Sequence, residues 1–286
     1  MLDRQVDRDG PRPTAAAEPG PVVRLAGVSK SYGAKRAVVE LSLDLWAGEV
    51  FAFLGPNGAG KTTTLKMTTG LLRPDVGVVE VCGHSMLRDG RRAKQQFAYI
   101  PDQPFLYDKL TGREFIHFAR DMYGVPKPAA RERLESLTER LDMSSFLDQL
   151  TESYSHGMKQ KVALAAALIH APRLLVVDEP IVGLDPRTIR VTKNIFREIA
   201  LAGGAVFMST HTLDVAETVA DRIGIIQQGR LVALGTLAEL RTRAASAGER
   251  LEDIFLHITE GDAAAALRLP GPPQSVAPPP REPERG

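Results

Sequence analysis

Residues 50–62 read Val50-Phe51-Ala52-Phe53-Leu54-Gly55-Pro56-Asn57-Gly58-Ala59-Gly60-Lys61-Thr62. The first five are apolar and predict a buried strand, and the last eight match the pattern G-x-x-x-x-G-K-[ST] in full. Residues 63–69 can open a helix, so the glycine-rich loop is predicted to lie between a strand and a helix N-terminus. Backbone N–H groups and the helix dipole converge on an anion at such a turn. The stretch therefore predicts an α/β fold with a phosphate-binding loop at 55–62.

The side chains of this phosphate loop indicate a nucleoside triphosphate as the ligand. Glycines let the backbone wrap around phosphate groups because they have no Cβ atom to collide with them. Lys61 is expected to neutralise the β- and γ-phosphate oxygens, and the Thr62 hydroxyl is expected to hold Mg²⁺. Thr63, the next residue, is also expected to contact the nucleotide. The alternative is a glycine-rich turn followed by a surface lysine, which the full match between a strand and a helix disfavours.

A second candidate site follows another apolar run. Residues 174–177 read Leu-Leu-Val-Val and are followed by the acid pair, Asp178 and Glu179. A parallel strand buried on both faces is continuously apolar, and α/β folds bind ligands at its carboxyl end. Asp178 is expected to bind Mg²⁺ directly or through water, whereas Glu179 points elsewhere because strand side chains alternate, and could polarise an attacking water. The alternative is two acids that only cap a loop, which the phosphate loop disfavours.

The composition excludes several classes of protein. The 286 residues carry 36 Lys and Arg against 35 Asp and Glu, so the basic excess of a nucleic-acid-binding surface is missing and no nucleic-acid partner is expected. Cys82 is the single cysteine, which excludes an internal disulfide and a cysteine-based metal cluster and is typical of a reducing, cytoplasmic compartment. No apolar run approaches the roughly 18 residues of a membrane span, so a membrane function would require a separate spanning partner.

The remaining sequence alternates strand and helix patterns, which is typical of an α/β fold with a mostly parallel sheet. The predicted strands are 22–28, 41–45, 50–54, 77–82, 97–100, 174–177 and 205–209, with a hairpin of 222–226 and 230–234. Residues 111–169 carry helical patterns only and predict an inserted helical lobe, with a capping box at 111–114 and Pro128 near a helix start. One predicted helical face carries Phe115, Ile116, Phe118, Ala119 and Met122, and another Leu134, Leu137 and Leu141. The ends, 1–21 and 260–286, are predicted to be tails.

Together these motifs resemble the ABC-type ATPase family, from about residue 22 to about residue 259. The resemblance implies a P-loop NTPase core of the RecA-like type with a mostly parallel sheet. It also implies an N-terminal antiparallel β subdomain and an inserted helical subdomain at about 103–169. ATP and Mg²⁺ are the cofactors that follow from it, with Lys61 and Glu179 as catalytic residues.

Residues 154–160, Tyr-Ser-His-Gly-Met-Lys-Gln, resemble the family's signature segment. In the family this segment completes the nucleotide pocket of a partner subunit, which implies that Ser155 and Gly157 bind nucleotide. Both would stand at the start of a helix, whose free N–H groups can bind an anion. Three residues depart from the usual Leu-Ser-Gly-Gly-Gln: Tyr154, His156 and Met158.

Three further positions are assigned by the resemblance. Asp185 lies in Gly183-Leu184-Asp185-Pro186, which is similar to the family's D-loop, a segment that communicates between two sites. Tyr32 stands where the family places an aromatic ring that stacks on adenine. His211 follows the predicted strand 205–209, as the family's switch histidine does, and would bond to the γ-phosphate as a catalytic residue. The alternatives are that Tyr32 is a core tyrosine and that His211 has a structural role only.

One position departs from the family in the expected magnesium site. The family's Q-loop glutamine, which contacts Mg²⁺ and water, should follow Pro101, but Asp102 stands there and Gln103 comes next. An aspartate can bind Mg²⁺ through oxygen, although it adds negative charge near the triphosphate. A slip of one residue would present Gln103 instead, and the sequence leaves both alternatives open.

The resemblance also implies partners. The chain would be the motor subunit of a transporter that pairs with a second ATPase subunit, as a homodimer or heterodimer, and drives a membrane permease. It would therefore lie at the cytoplasmic face of the cell membrane. Residues 104–107, Pro-Phe-Leu-Tyr, stand where the family docks the coupling helix of the permease. The signature segment and residues 251–255 are most similar to those of bacterial exporters.

Two other functions are weighed against transport. A soluble ABC ATPase acting on ribosomes or chromosomes is disfavoured, since the chain has one set of motifs and no room for a long coiled coil between phosphate loop and signature segment. A module that binds nucleotide without turnover is disfavoured by the presence of Glu179.

Overall fold

The computed structural model describes residues 20–181, 183–243, 251–252 and 255–256. The strands are β1 (Val23–Tyr32), β2 (Lys35–Leu45), β3 (Val50–Leu54), β4 (Val76–Val81), β5 (His84–Ser85), β6 (Phe97–Ile100), β7 (Leu174–Asp178), β8 (Ala205–Thr210), β9 (Arg222–Gln227) and β10 (Arg230–Gly235). The helices are α1 (Lys61–Thr68), α2 (Gly90–Lys94), α3 (Gly112–Met122), α4 (Lys127–Arg140), α5 (His156–Leu168), α6 (Pro186–Leu201), α7 (Leu213–Val219) and α8 (Leu237–Arg243). Of the two predicted tails, only Gly20 and Pro21 are among the described residues.

The central sheet has six strands in the order β10-β9-β3-β8-β7-β6. All of its neighbouring pairs are parallel except β9 with β10, which form the predicted antiparallel hairpin. The strand order requires crossovers, which the helices supply on the two faces of the sheet. The predicted α/β fold with a mostly parallel sheet is therefore confirmed.

Burial explains why the central strands are continuously apolar. Every residue of β3, β7 and β8 is buried, because both faces of the sheet are covered. Alternate residues of β3 face two different core clusters, with Ala52 on one side and Phe51 and Phe53 on the other. The ring of Phe207 in β8 packs edge-on against both phenylalanines, with centroid distances of 5.6 and 5.9 Å. This rigid centre fixes the loops that leave the strands.

A second sheet is antiparallel, in the order β2-β1-β4-β5, as the family resemblance implies. Its first hairpin is longer than the predicted strands 22–28 and 41–45, because pairing continues to Tyr32 opposite Lys35. Gly33 has φ +57 and permits the two-residue turn between them. The tip of the hairpin, residues 31–36, is exposed, so it carries no apolar signal. For the same reason the two-residue β5 was not predicted.

The predicted helical lobe is present as α3, α4 and α5. The capping box at the start of α3 is confirmed: Thr111 Oγ1 accepts from the backbone N–H of Glu114, and the backbone N–H of Thr111 donates to the Glu114 carboxylate. Pro128 occupies the first turn of α4, as predicted. The predicted apolar face of α3 is partly wrong, because Ile116 is buried but Phe118 and Met122 are exposed. The three leucines of the second predicted face are buried.

Within the described part of the chain, no helix has both the length and the hydropathy of a membrane span.

Candidate functional site

The central sheet brings the main candidate residues to one edge. Strands β3, β8 and β7 are adjacent and parallel, so their carboxyl ends meet. Leu54, which precedes the phosphate loop, pairs with Thr210, and Asp178 pairs with Ser209. The phosphate loop, the acid pair and His211 therefore lie side by side, because each follows or ends one of three neighbouring strands. Ligands bind at this edge in parallel α/β sheets.

Close packing requires the outer glycines of the phosphate loop. A Cβ atom on Gly55 would collide with the carbonyl oxygen of Ile226, and one on Gly60 would lie 2.5 Å from the carbonyl oxygen of Ala37. Gly60 also has φ +118 and immediately precedes α1. Because glycine has no side chain, the helix N-terminus has no side-chain cap, and the free N–H groups there can receive an anion.

Lys61 is held inside the phosphate loop. Its Nζ atom donates to the carbonyl oxygen of Gly55 at 2.6 Å and to that of Pro56 at 3.3 Å, and the residue is only 7% exposed. Burial lowers the pKa of Lys61, and the negative charges of Glu179 and Asp178 oppose that shift. A cation thus lies at the loop that the sequence predicts to bind phosphate, within the field of the acid pair.

The hydroxyl groups after Lys61 differ in their surroundings. Thr64 Oγ1 donates to the carbonyl oxygen of Gly60 at 2.9 Å and is buried within the turn. Thr62 is exposed and Thr63 is half-buried. The predicted nucleotide and magnesium contacts of Thr62 therefore require no rearrangement of the helix to reach its hydroxyl.

Asp178 ends β7 as a buried carboxylate that accepts a short hydrogen bond from the Ser209 hydroxyl. The loop after β7 then turns sharply, because Glu179 has φ +51 in the left-handed region. This turn directs the Glu179 carboxylate toward the end of β8. Its Oε1 atom lies 2.9 Å from His211 Nδ1, and its Oε2 atom accepts from Thr210 Oγ1 at 3.1 Å. Glu179 and His211, two of the three predicted catalytic residues, are therefore in direct contact.

Three polar residues near these groups were missed by the sequence analysis. Ser209 and Thr210 bind the two carboxylates of the acid pair. Lys35 places its Nζ atom 3.9 Å from the Cβ position of Gly58 and so adds a cation at the loop. Ser209 and Thr210 end an apolar strand just before His211, a pattern that could have identified them. Lys35 lies in the hairpin that the predicted strands left out.

Tyr32 ends β1 and pairs directly with Lys35 across the hairpin. Its side chain is 50% exposed, which excludes the alternative of a core tyrosine. The exposed ring of Tyr32 lies opposite Lys35, whose Nζ atom is near Gly58 of the phosphate loop. The ring is free to stack on a flat ligand there.

The signature segment forms the start of α5, as predicted. Ser155 is the N-cap, with Oγ accepting from the backbone N–H of Met158 at 3.3 Å, and it is exposed. The Cβ position of Gly157 lies 3.0 Å from the carbonyl oxygen of Gly183 in the D-loop. Among the described residues, these contacts lead to α5 and the D-loop rather than to the phosphate loop.

Tyr154, which replaces the leucine of the family's usual signature segment, has a structural role. Its side chain is buried, and its hydroxyl donates to the carbonyl oxygen of Phe146 at 2.8 Å and accepts from the backbone N–H of Gly112 at 3.1 Å. The ring also packs edge-on against Phe146, with centroids 5.2 Å apart. Tyr154 therefore anchors the signature segment to the start of α3.

Asp185 caps α6. Its carboxylate accepts from the backbone N–H of Thr188 at 2.9 Å and from Thr188 Oγ1 at 2.6 Å, and Lys161 lies 3.7 Å away. The Thr188 hydrogen bonds, followed by the Lys161 charge, lower the pKa of Asp185 to about 2. A fixed negative charge thus links the D-loop to α6 and, through Lys161, to α5.

The segment after β6 is tied to the signature helix. Gln160 donates from Nε2 to the backbone carbonyl of Asp102 at 3.0 Å. Asp102 is half-buried and Gln103 is exposed. Burial raises the pKa of the neighbouring Tyr99, and the charges of Asp178 and Asp102 raise it further, so both carboxylates act on the same side chain.

Seven of the residues predicted from sequence thus fall into two groups. Lys61, Asp178, Glu179 and His211 lie together at the carboxyl edge of the central sheet. Ser155, Gly157 and Asp185 lie together where α5 meets the D-loop.

Comparisons with known proteins identify the family of the chain. The family model described as "ABC transporter" matches residues 38–182. The linearmycin resistance ATP-binding protein LnrL of Bacillus subtilis (strain 168) is 36% identical over 222 residues, 78% of this chain and 71% of the relative. The daunorubicin/doxorubicin resistance ATP-binding protein DrrA of Streptomyces peucetius is 36% identical over 252 residues, 88% of this chain and 76% of the relative.

A solved structure described as the ATP-binding subunit of an ABC transporter is also similar. It superposes with a TM-score of 0.80 at 32% identity and covers 83% of this chain and 99% of its own. The chain therefore belongs to the ABC transporter family, as one of its ATP-binding, ATP-hydrolysing subunits.

Proposed function

We propose that the chain is the motor subunit of an ABC exporter, which binds Mg²⁺-ATP, pairs with a second ATPase subunit and drives a separate membrane permease. One observation carries the pairing: the exposed Ser155 and its neighbour Gly157 belong to a group of residues separate from Lys61 and Glu179. An exposed helix N-terminus next to the D-loop is suited to complete an anion site on another subunit. The sandwich of nucleotide between two subunits that the family resemblance implies needs this exposure.

The residues at the sheet edge support hydrolysis. Glu179 is the base that polarises the attacking water, and it is held by Thr210 and His211. Lys61 supplies positive charge to the phosphate groups, and it reaches them by leaving the two carbonyl oxygens that it now contacts. His211 exchanges its bond to Glu179 for one to the γ-phosphate, so the pair reports whether that phosphate is present.

The donor set also fits Mg²⁺. Among the described residues, no group of three or more His, Cys, Asp and Glu side chains is arranged to hold a metal ion. Mg²⁺ bound with a nucleotide does not need such a group, because it keeps several waters and takes oxygens from the phosphates. Thr62 and Asp178 are the protein groups that would hold it. Bound there, Mg²⁺ would neutralise charge that develops on the phosphates.

At the altered Q-loop position we favour Asp102 over Gln103 as the residue that faces the magnesium site. Asp102 is half-buried and acts with Asp178 on Tyr99, whereas Gln103 is exposed. The Gln160 bond to the Asp102 carbonyl fixes the backbone at this point.

An exposed aromatic patch supports a permease partner. It consists of Phe105, Tyr107, Phe118 and Met122. Phe105 is 77% exposed and Met122 69%, and the ring of Tyr107 contacts Phe105 and Phe118 edge-on at 5.8 and 5.6 Å. Contiguous exposed apolar side chains of this kind mark interaction sites. We infer that the coupling helix of the permease covers this patch, which places the chain at the cytoplasmic face of the membrane.

The relatives support the direction of transport. LnrL and DrrA are both named as resistance ATP-binding proteins, and removal of a toxic compound from the cell requires export. We therefore infer that the permease partner is an exporter.

The pairing is tested with Glu179→Gln, in which ATP binding persists but turnover stops. ATP with Mg²⁺ should convert this variant from monomer to dimer in size-exclusion chromatography with light scattering. Adding Ser155→Arg to it should keep ATP binding by the monomer and abolish the dimer, because a large side chain then fills the contact. Glu135→Gln, an exposed acid paired with Arg131 on α4, is the matched control and should hydrolyse ATP at the parent rate. A Glu179→Gln variant that stays monomeric with saturating ATP would contradict the pairing.

The permease is tested by affinity purification of the tagged full chain from membranes. The parent should co-purify an integral membrane protein, and Phe105→Ser with Tyr107→Ser should lose it while keeping ATP binding. Recovery of ribosomes or DNA instead would favour the soluble alternative.

A further inference from the structure

His156 stands at the first helical position of α5, where the family's signature segment has glycine. Its ring lies against the D-loop of the same chain. A Cβ atom on Gly183 would lie 2.6 Å from His156 Cδ2 and 3.4 Å from its Nε2. The imidazole therefore occupies the space that a side chain at 183 would need, and it packs directly on the Gly183 backbone.

The ring also contacts a residue of its own helix. His156 Nε2 lies 3.5 Å from Nε2 of Gln160, one helical turn later. The same Gln160 nitrogen donates to the carbonyl oxygen of Asp102 at 3.0 Å. His156 thus stands between the D-loop and the residue that binds the segment after β6.

The contact between His156 and Gly183 joins the helical lobe to the central fold. His156 lies on the helical lobe, whereas Gly183 lies in the loop between β7 and α6 of the central fold. Glu179 and Asp185 stand on either side of Gly183 in that loop, the first against His211 and the second as the cap of α6. A shift of the loop at Gly183 would therefore be felt at both neighbouring groups.

We propose that His156 is a positioning residue for ATP hydrolysis, which fixes the D-loop against the signature helix through the contact of its ring with Gly183. The inference rests on the proposed function, since the two segments meet the nucleotide only when two subunits pair. His156 acts through the D-loop backbone and leaves the phosphate loop of its own subunit untouched. Its effect is consequently expected on turnover and not on the affinity of the monomer for nucleotide.

The first test is His156→Ala. We expect kcat of the paired enzyme to fall roughly 10- to 100-fold, the range for a small misplacement away from the reacting atoms. The affinity of the monomer for a fluorescent ATP analogue should stay within about twofold of the parent, because Lys61 and the phosphate loop are unchanged. His84→Ala, a histidine in β5 of the antiparallel sheet, is the matched control and should match the parent in both measurements. An unchanged kcat for His156→Ala would overturn the proposal.

A conservative variant separates ring packing from the mere loss of a side chain. His156→Phe keeps a flat ring against Gly183 and should recover most of the parent kcat. A loss as large as that of His156→Ala would overturn the proposal. Both variants should melt within a few degrees of the parent by circular dichroism, so neither result depends on unfolding.

A double-mutant cycle checks the contact itself. Gly183→Ala should lower kcat more in the parent than in the His156→Ala background, because the added methyl group meets the ring only when the ring is present. Gly183 has φ +77, and this backbone cost is the same in both backgrounds and cancels. Effects that simply multiply would overturn the proposal. If Gly183→Ala does not fold, the comparison of His156→Ala with His156→Phe decides the question.

Failure of the proposed function would look different. A parent chain that does not pair on ATP, as judged with Glu179→Gln, would contradict the pairing. A parent that pairs and hydrolyses ATP while His156→Ala does so equally well would contradict only the role of His156.

Discussion

Glu179 and His211 form a direct pair, with Oε1 of the carboxylate 2.9 Å from Nδ1 of the imidazole. The pair is reinforced by Thr210, whose hydroxyl donates to the other carboxylate oxygen. Glu179 is largely buried while His211 is more than half exposed. The histidine is thus the accessible member, able to turn toward a ligand while the carboxylate stays in place.

His211→Ala should abolish most ATP turnover and weaken nucleotide affinity much less than Lys61→Ala does. The base would lose the partner that holds it and the γ-phosphate would lose a hydrogen bond, so kcat should fall roughly 100-fold or more, the range for general acid–base groups. Steady-state ATPase assays measure kcat, and an ATP analogue titration measures the affinity. His84→Ala is the control. A His211→Ala variant that hydrolyses ATP at the parent rate would show that the pair is structural.

The sequence predicts the central fold because burial dictates residue type there. Residues 50–54 and 174–177 are continuously apolar, and both became strands covered on both faces. The outer hairpin of β1 and β2 was missed, because the exposed Lys35 and Arg36 and the half-buried Lys30 are polar and give no apolar period. Phe118 was predicted to face the core because helical spacing alone does not show which apolar face is covered.

The candidate site, like the fold, is only partly predictable from the sequence. The phosphate loop and the acid pair follow from local patterns, a glycine-rich turn and a strand that ends in carboxylates. The bonds of Ser209 to Asp178 and of Thr210 to Glu179 depend on the register of β7 against β8. That register joins residues about thirty positions apart, and spacing along the chain does not reveal it.

Lys61→Ala should weaken ATP binding. Charge-assisted hydrogen bonds are worth about 1.5–3 kcal/mol each, so the affinity should fall roughly 10- to 100-fold. Isothermal titration calorimetry with ATP measures the change directly. Lys66→Ala is a suitable control because Lys66 is exposed on the same helix α1. An unchanged affinity for Lys61→Ala would contradict the assignment of the phosphate loop.

Tyr154→Phe should destabilise the helical lobe. The substitution removes the hydroxyl that binds the Phe146 carbonyl and the Gly112 N–H, and leaves the buried Gly112 group without its partner. The expected cost is about 1–3 kcal/mol in the free energy of unfolding. Urea unfolding followed by circular dichroism measures it. Tyr107→Phe removes the hydroxyl of a residue that is 48% exposed and should change the stability by far less. Equal effects of the two variants would contradict this account of Tyr154.

Asp185→Ala should cost stability near neutral pH and lose that effect in acid. The pKa of Asp185 is about 2 in the folded chain against an ordinary value of 3.8. A lowered pKa means that the folded state holds the carboxylate form, so the stabilisation is complete above about pH 4 and is lost as the pH falls toward 2. Because the side chain is half exposed, solvent screening limits the contribution to that of an ordinary helix cap, about 1 kcal/mol. Parallel urea titrations of parent and variant should therefore differ near neutral pH and approach each other only as the pH falls toward 2. A difference that grows on acidification would contradict the capping role.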